Sequence, residues 1–161
     1  MHFTPMQRQK AEQIIHCRYP EPYDIYNIYF MKESIKETVD IFVDPYQAYY
    51  EIYDKTYTFL GFCCFGNDGQ VPGGDYCTDA LDIGLGLDPA FTGKWAGHSV
   101  LSSLIEFGNE RFAPPNFRAT IADFNHRATH LVKNVGFNRI QMFKKRHDEL
   151  NYSVFIKKSF E

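Results

Sequence analysis

The sequence contains no apolar run long enough to cross a bilayer, and its first residues, MHFTPMQRQK, lack the apolar core of a secretory signal. A spanning helix needs about 20 predominantly apolar residues, and a signal peptide needs an apolar core of about 7 to 15. We therefore expect no membrane segment and no export. A cytoplasmic location is the default expectation that follows.

Cysteine pairs with the spacing of a redox or zinc site are also missing. The four cysteines are Cys17, Cys63, Cys64 and Cys77. Without an export signal they should stay reduced, and we expect them to be small apolar core residues. His126 and His130 have a spacing that suits a metal on a helix, but no third ligand accompanies them. We expect no metal site.

Two common nucleotide-binding loops are absent. No GxxxxGK[ST] segment occurs, which excludes a P-loop nucleotide hydrolase, and Gly84 and Gly86 lack the third glycine of the dinucleotide fingerprint. The net charge of −3 argues against a general nucleic-acid binder.

What the chain does have is the composition of one globular domain. Its 161 residues are 44% hydrophobic and 17% aromatic, which favours a single domain over 1–161 with a sheet-bearing core. Residues 1–91 hold 14 acids and 6 bases, whereas residues 92–161 hold 11 bases and 6 acids. Two interpretations stay open: a cationic substrate meeting an anionic cofactor, or an uneven distribution over solvated faces.

The apolar periodicity predicts alternating helices and strands. Helices are expected over 4–19, 33–43, 96–112 and 126–135, and strands over 47–53, 57–65, 80–87, 117–122, 137–145 and 151–157. Thr4 with Pro5 is the expected start of the first helix, and Gly136 is the expected C-terminal cap of the last. The order of these elements indicates an α/β (α+β) domain, in which helices flank a mixed, mostly antiparallel central sheet.

The most informative segment is strand 80–87 followed by the turn DPAFTGKWAGH and a helix. Such a turn directs several backbone N–H groups at one point, and the helix dipole adds positive potential, so a phosphate can bind there. A tight turn without a ligand is the alternative interpretation.

LGLDPAFTGKWAG resembles the acetyl-CoA signature of the GNAT superfamily of N-acetyltransferases, in which a strand leads to a [Q/R]-x-x-G-x-[G/A] loop. Asn125-x-x-Ala128-x-x-Leu131, followed by Gly136-Phe137, is similar to a later motif of that family. The two motifs occur in the family's order, within residues 80–137. The resemblance implies the GNAT fold and acetyl-CoA as co-substrate, without a metal.

The resemblance also implies the residues that bind the cofactor. The backbone of Leu85 and Leu87 would pair with the pantetheine arm, and Asn125 and Ala128 would line its other side. The loop over the pyrophosphate would be Thr92, Gly93, Lys94, Trp95, Ala96, Gly97 and His98. Lys94, Arg127 and Lys133 are candidates for contacts with the adenosine phosphates, and solvated surface charges are the alternative.

Three residues depart from the family pattern. Thr92 stands where Gln or Arg is usual, Trp95 where glycine is usual, and Val132 where many members have a tyrosine that protonates the leaving thiolate.

The chemistry that the resemblance implies is direct attack of an amine on the thioester, which requires removal of a proton from the amine. Asp82 is the first candidate for this role and Glu51 the second. The N–H near Leu85 is the expected oxyanion donor, and Tyr76 is a candidate for the general acid.

We therefore predict an acyltransferase that moves an acetyl group from acetyl-CoA to a primary amine, on a small molecule or a peptide. The alternative is a catalytically degenerate GNAT-fold module that binds CoA or a partner. The sequence leaves the acceptor and the oligomeric state open, although aromatic surfaces and C-terminal strands of this kind often support homodimers.

Overall fold

The structure is a computed structural model that describes residues 1–28, 34–93, 96–145 and 149–159. These residues contain seven strands and four α-helices. The strands are β1 (His2–Pro5), β2 (Tyr49–Tyr53), β3 (Phe59–Phe65), β4 (Leu81–Leu87), β5 (Asn116–Ala122), β6 (Asn138–Lys144) and β7 (Asn151–Lys158). The helices are α1 (Arg8–His16), α2 (Ile35–Val43), α3 (Ala96–Phe112) and α4 (His126–Asn134).

The strands form one sheet in the order β1-β2-β3-β4-β5-β7-β6. β1–β2, β5–β7 and β6–β7 are antiparallel, whereas β4–β5 is parallel. This confirms the predicted α+β class with a mixed sheet.

By its internal contacts the chain divides into two compact units. The first, called the N-terminal unit below, comprises Met1–Cys63 with Gly86–Thr92. The second, called the C-terminal unit, comprises Cys64–Leu85 with Gly93–Glu161. The single domain over 1–161 stays a prediction.

The start of the N-terminal unit differs from the sequence prediction. Thr4 and Pro5 belong to strand β1, where they pair with Glu51 and Tyr50, and α1 begins only after Gln7. The predicted helix over 4–19 is therefore wrong at its N-terminal end. Proline is tolerated here because β1 is the first strand in the sheet order, and an edge strand can lack a backbone donor.

The helices of the C-terminal unit follow the predicted bounds. α3 spans 96–112 as expected and buries Val100, Leu101, Leu104 and Ile105, but Phe112 is 37% exposed and lies outside the buried face. On α4 only Val132 is fully buried; Ala128, Leu131 and Val135 are half-buried. A helix on a sheet surface buries one narrow stripe, so neighbours beside that stripe remain partly exposed.

The cysteine prediction is confirmed for Cys63 and Cys64, which are buried thiols outside any disulfide. It is wrong for Cys77, which is exposed, and Cys17 is intermediate. Cys77 lies in the polar segment between β3 and β4, outside the helices and strands.

Candidate functional site

The parallel strands β4 and β5 are joined only at their beginning. Their register pairs are Leu81 with Phe117 and Asp82 with Arg118, although each strand has seven residues. Among the described residues no further pair joins them, so the strands separate after Asp82. A gap between two parallel strands leaves main-chain donors and acceptors without the ladder partners they would otherwise have.

The backbone of Leu85 faces this gap. The carbonyl oxygen of Asp82 accepts a hydrogen bond from the Gly66 N–H, on the β3 side. Because main-chain polar groups alternate in direction along a strand, the N–H and C=O of Ile83 and Leu85 point to the opposite side, towards β5. The role of Leu85 in binding the cofactor stays a prediction.

The turn after β4 leads into the N-terminus of α3. Gly93 has a φ of +74°, a left-handed conformation that glycine adopts readily. Ala96, Gly97 and His98 form the first turn of α3, where N–H groups have no partner within the helix. Lys94 and Trp95, which the sequence analysis assigned to the same loop, lie outside the described residues.

The N-terminal part of α4 lies against this turn. A Cβ placed on Gly93 would be 2.7 Å from Nη1 of Arg127, and one placed on Gly97 would be 3.3 Å from Leu131. The guanidinium of Arg127 thus lies beside the turn that opens α3. It adds a positive charge to the potential of the helix N-terminus, which suits an anionic ligand.

Asn125 caps α4. Its side-chain Oδ1 accepts a hydrogen bond from the Ala128 N–H at 3.1 Å, and Gly136 ends the helix with a φ of +95°. The hydrogen bond between Asn125 and Ala128 therefore fixes the first turn of α4.

Replacing Asn125 with alanine should lower the free energy of unfolding by about 1 kcal/mol, because the Ala128 N–H loses its acceptor. The melting temperature should fall by about 2 to 4 °C. Asn125→Ser, which keeps an acceptor, should recover most of this loss. The matched control is Asn134→Ala at the exposed end of the same helix. A fall of equal size in this control would contradict the capping role.

Asp82 is buried and forms an ion pair with Arg118, so its carboxylate is not exposed to solvent. Arg118 donates from Nε to Oδ1 and from Nη2 to Oδ2 of Asp82, both at 2.7 Å. Gln70 donates to Oδ2 at 2.8 Å. Asp82 is 3% exposed and Arg118 2% exposed. Since both oxygens already accept hydrogen bonds, this geometry disfavours Asp82 as the base that takes a proton from an amine.

The hydroxyl of Tyr76 is engaged with the backbone of its own loop. It accepts from the Val71 N–H and donates to the Val71 carbonyl, each at 2.8 Å. The ring centroid of Tyr76 lies 4.9 Å from Cζ of Arg118. Tyr76 therefore positions the loop over the ion pair, and its proton is committed to Val71.

Glu51, in the N-terminal unit, is 3% exposed and also carries fixed partners. Its carboxylate accepts from the Gln7 N–H at 2.9 Å and from the Tyr53 hydroxyl at 2.5 Å. Burial and the neighbouring Glu51 charge raise the pKa of Tyr53 to about 12, so Tyr53 stays protonated and keeps donating. Glu51 ties α1 to β2.

Leu87 and Thr92 belong to the N-terminal unit. The carbonyl of Leu87 accepts a hydrogen bond from the Tyr19 hydroxyl at 2.7 Å. Burial raises the pKa of Tyr19 to about 12, with Cys17 and Asp88 contributing. The Thr92 hydroxyl donates to the Pro89 carbonyl, so this side chain turns back onto its own loop.

Arg118, Gln70 and Tyr19 were not among the predicted site residues. The sequence did contain a signal that Arg118 needs a charged partner. It is the only charged residue in the run FRATIA, whose other residues are apolar or small. A charge inside a buried strand requires a partner, and Asp82 lies on the neighbouring strand. Nothing in the sequence pairs Tyr19 with Leu87.

His126 and His130 are exposed. The described ranges contain no group of three or more side chains that could hold a metal ion. In the same ranges, no helix has the length and apolar character needed to cross a membrane.

The chain matches no family model and no curated protein sequence. Its structure is similar to a spermidine N-acetyltransferase from Vibrio cholerae in complex with CoA and spermine, with a TM-score of 0.74 and 11% identity over 98% of this chain and 95% of that chain. A chimera of the Vibrio cholerae enzyme with hSSAT gives 0.77 and 12% over 98% and 95%. A GNAT-family acetyltransferase from Bacillus anthracis gives 0.72 and 14% over 99% and 95%. Together with the separated parallel strands and the capped α4, these similarities establish that the chain has the fold of the GNAT acetyltransferases.

Proposed function

We propose that this protein is an acyltransferase that moves an acetyl group from acetyl-CoA to a primary amine. The observation that carries the proposal is the separation of β4 and β5 after Asp82, on a strand that the α3 helix follows in the chain. The Vibrio cholerae enzyme with this fold binds CoA and spermine, which supports CoA as the donor and a small amine as the acceptor.

The cofactor contacts follow from the orientation of the backbone. The N–H and C=O of Leu85 face the gap and suit the amides of a pantetheine arm. The amides of Gly93, Ala96, Gly97 and His98, with the Arg127 guanidinium, suit a pyrophosphate. Lys94, Trp95 and Thr92 complete the proposed loop. The proposed second wall is Asn125 with Ala128. At Leu87 the N–H is the proposed contact, because the carbonyl already accepts from Tyr19.

In the reaction, the amine nitrogen attacks the carbonyl carbon of the thioester. A C–N bond forms, the C–S bond breaks, and the sulfur leaves as a thiolate. The Leu85 N–H is the proposed donor to the oxyanion. The proton of the amine passes to water, because Asp82 and Glu51 have their oxygens occupied and Tyr76 donates to Val71. Val132 is buried on α4 and offers no proton to the thiolate.

The test is a thermal melt with and without acetyl-CoA, followed by thiol-release assays with a series of amines. Ligand at about a hundredfold over its Kd should stabilise the fold by roughly 2.7 kcal/mol. We expect the melting temperature to rise by about 5 to 10 °C. Adenosine 3′,5′-bisphosphate, which lacks the pantetheine arm, is the control and should give a smaller rise.

Each outcome of these two assays has a definite meaning. A rise in melting temperature together with thiol release supports the enzyme. A rise without release from any amine would favour the degenerate CoA-binding module. No rise at saturating acetyl-CoA would refute the enzyme and the CoA-binding module, and would favour a module that binds a partner.

A further inference from the structure

The buried pair of Asp82 and Arg118 sits at the point where β4 and β5 part. These two residues are register partners and form the last pair between the strands. Their side chains project from the same face, because they lie opposite each other in the pairing. Two hydrogen bonds of 2.7 Å join them in the bidentate arrangement that only arginine can make with a carboxylate.

The next position on the same face of β4 has no side chain at all. It is Gly84, and a Cβ placed there would be 2.6 Å from Sγ of Cys64. Gly84 therefore offers no side chain that could contact Thr120, the residue that follows Arg118 on the same face of β5. The side-chain link between the strands ends where the main-chain pairing ends.

The pair is fixed from outside the two strands as well. Arg118 donates from Nη1 to the Thr78 carbonyl at 2.9 Å, and Gln70 donates to Asp82. Tyr76 lies over the guanidinium, and its hydroxyl is 3.3 Å from Oγ1 of Thr120. The segment between β3 and β4 thus holds the ion pair in one geometry, and Asp82 maintains the pKa of Arg118 above its ordinary value.

We infer that the Asp82–Arg118 pair is a positioning device that sets the place at which β4 and β5 separate, and hence the width and depth of the cleft that receives the cofactor. This inference rests on the proposed function for the identity of the ligand. Asp82 and Arg118 are positioning residues, which act through the backbone of Ile83 and Leu85 and do not touch the reacting atoms.

The decisive variant is the double substitution Asp82→Leu/Arg118→Leu. Apolar residues can replace a buried ion pair with little loss of stability, so we expect the protein to fold and to melt close to the wild type. Leucine packs without direction, however, and does not fix the strands at one register point. The Kd for acetyl-CoA, measured by calorimetry well below the melting temperature, should rise about tenfold, because the backbone groups of Ile83 and Leu85 are no longer held in one position.

Two further variants separate positioning from stability. Arg118→Lys keeps the positive charge but lacks the planar fork that makes two parallel hydrogen bonds to the carboxylate, so we expect it to weaken acetyl-CoA binding as well. Val154→Ala removes buried apolar contact from β7 in the same unit. It should lower the melting temperature and leave the Kd for acetyl-CoA unchanged.

Hydrogen exchange provides a readout that needs no cofactor. The amides of Ile83 and Leu85 should exchange at a different rate in the double variant than in the wild type, whereas in Val154→Ala any change should follow global stability. An unchanged Kd and unchanged exchange in the folded double variant would overturn the inference. If the wild type fails to bind acetyl-CoA, the proposed function fails, and the exchange comparison still decides the role of the ion pair.

Discussion

Replacing Arg118 alone with leucine should lower the free energy of unfolding by about 3 to 5 kcal/mol. The substitution leaves the Asp82 carboxylate buried at 3% exposure without its charged partner, and an uncompensated buried charge is among the most costly changes in a protein interior. The melting temperature should fall by roughly 10 °C. Chemical denaturation followed by circular dichroism measures the loss.

A second arginine provides the matched control for this prediction. Arg8 forms an ion pair with Asp40 at 2.5 Å, but both side chains are well exposed, at 52% and 43%. Exposed pairs contribute about 0 to 1 kcal/mol, so Arg8→Leu should have little effect. The double variant Asp82→Leu/Arg118→Leu should be more stable than Arg118→Leu. A single variant as stable as the wild type would contradict the assigned burial of the charge.

Replacing Arg127 with glutamate should weaken acetyl-CoA binding roughly 10- to 100-fold, since a hydrogen bond to a charged group is worth about 1.5 to 3 kcal/mol. The guanidinium lies against Gly93 at the turn before α3, where the proposed pyrophosphate binds. Thr92 replaces the longer polar residue of the GNAT pattern, and its hydroxyl turns back to Pro89. We therefore propose that Arg127 supplies a side-chain contact that Thr92 does not.

Calorimetric titrations of acetyl-CoA at fixed ionic strength measure this effect. The control is Arg111→Glu, which makes the same change of charge in the last turn of α3, about 20 Å from the helix start. The two variants have the same net charge, so a difference between them reflects position. Equal losses of affinity in both variants would show that binding depends on the net charge of the protein and not on the position of the charge. That result would remove Arg127 from the proposed site.

The sequence by itself determined the elements whose signals are local. The apolar face at 3.6-residue spacing set α3, and its bounds over 96–112 agree with the structure. Gly136 marked the end of α4, which it follows with a positive φ, since capping depends on residues within one turn of the helix. The order of these elements, with the two motifs, was sufficient to predict the GNAT fold.

Long-range contacts decided the rest. Thr4 and Pro5 carry the local signature of a helix start, yet pairing with β2 makes them a strand, because a partner strand can outweigh local preference. The family resemblance made Asp82 the first candidate for the base that removes a proton from the amine. Only the pairing of β4 with β5, which places Asp82 opposite Arg118, makes it the buried partner of an ion pair. Which oxygens are occupied, and where β4 leaves β5, depends on residues 36 positions apart in the chain. No local sequence pattern shows that residues so far apart in the chain are in contact, so only the tertiary structure could assign these roles.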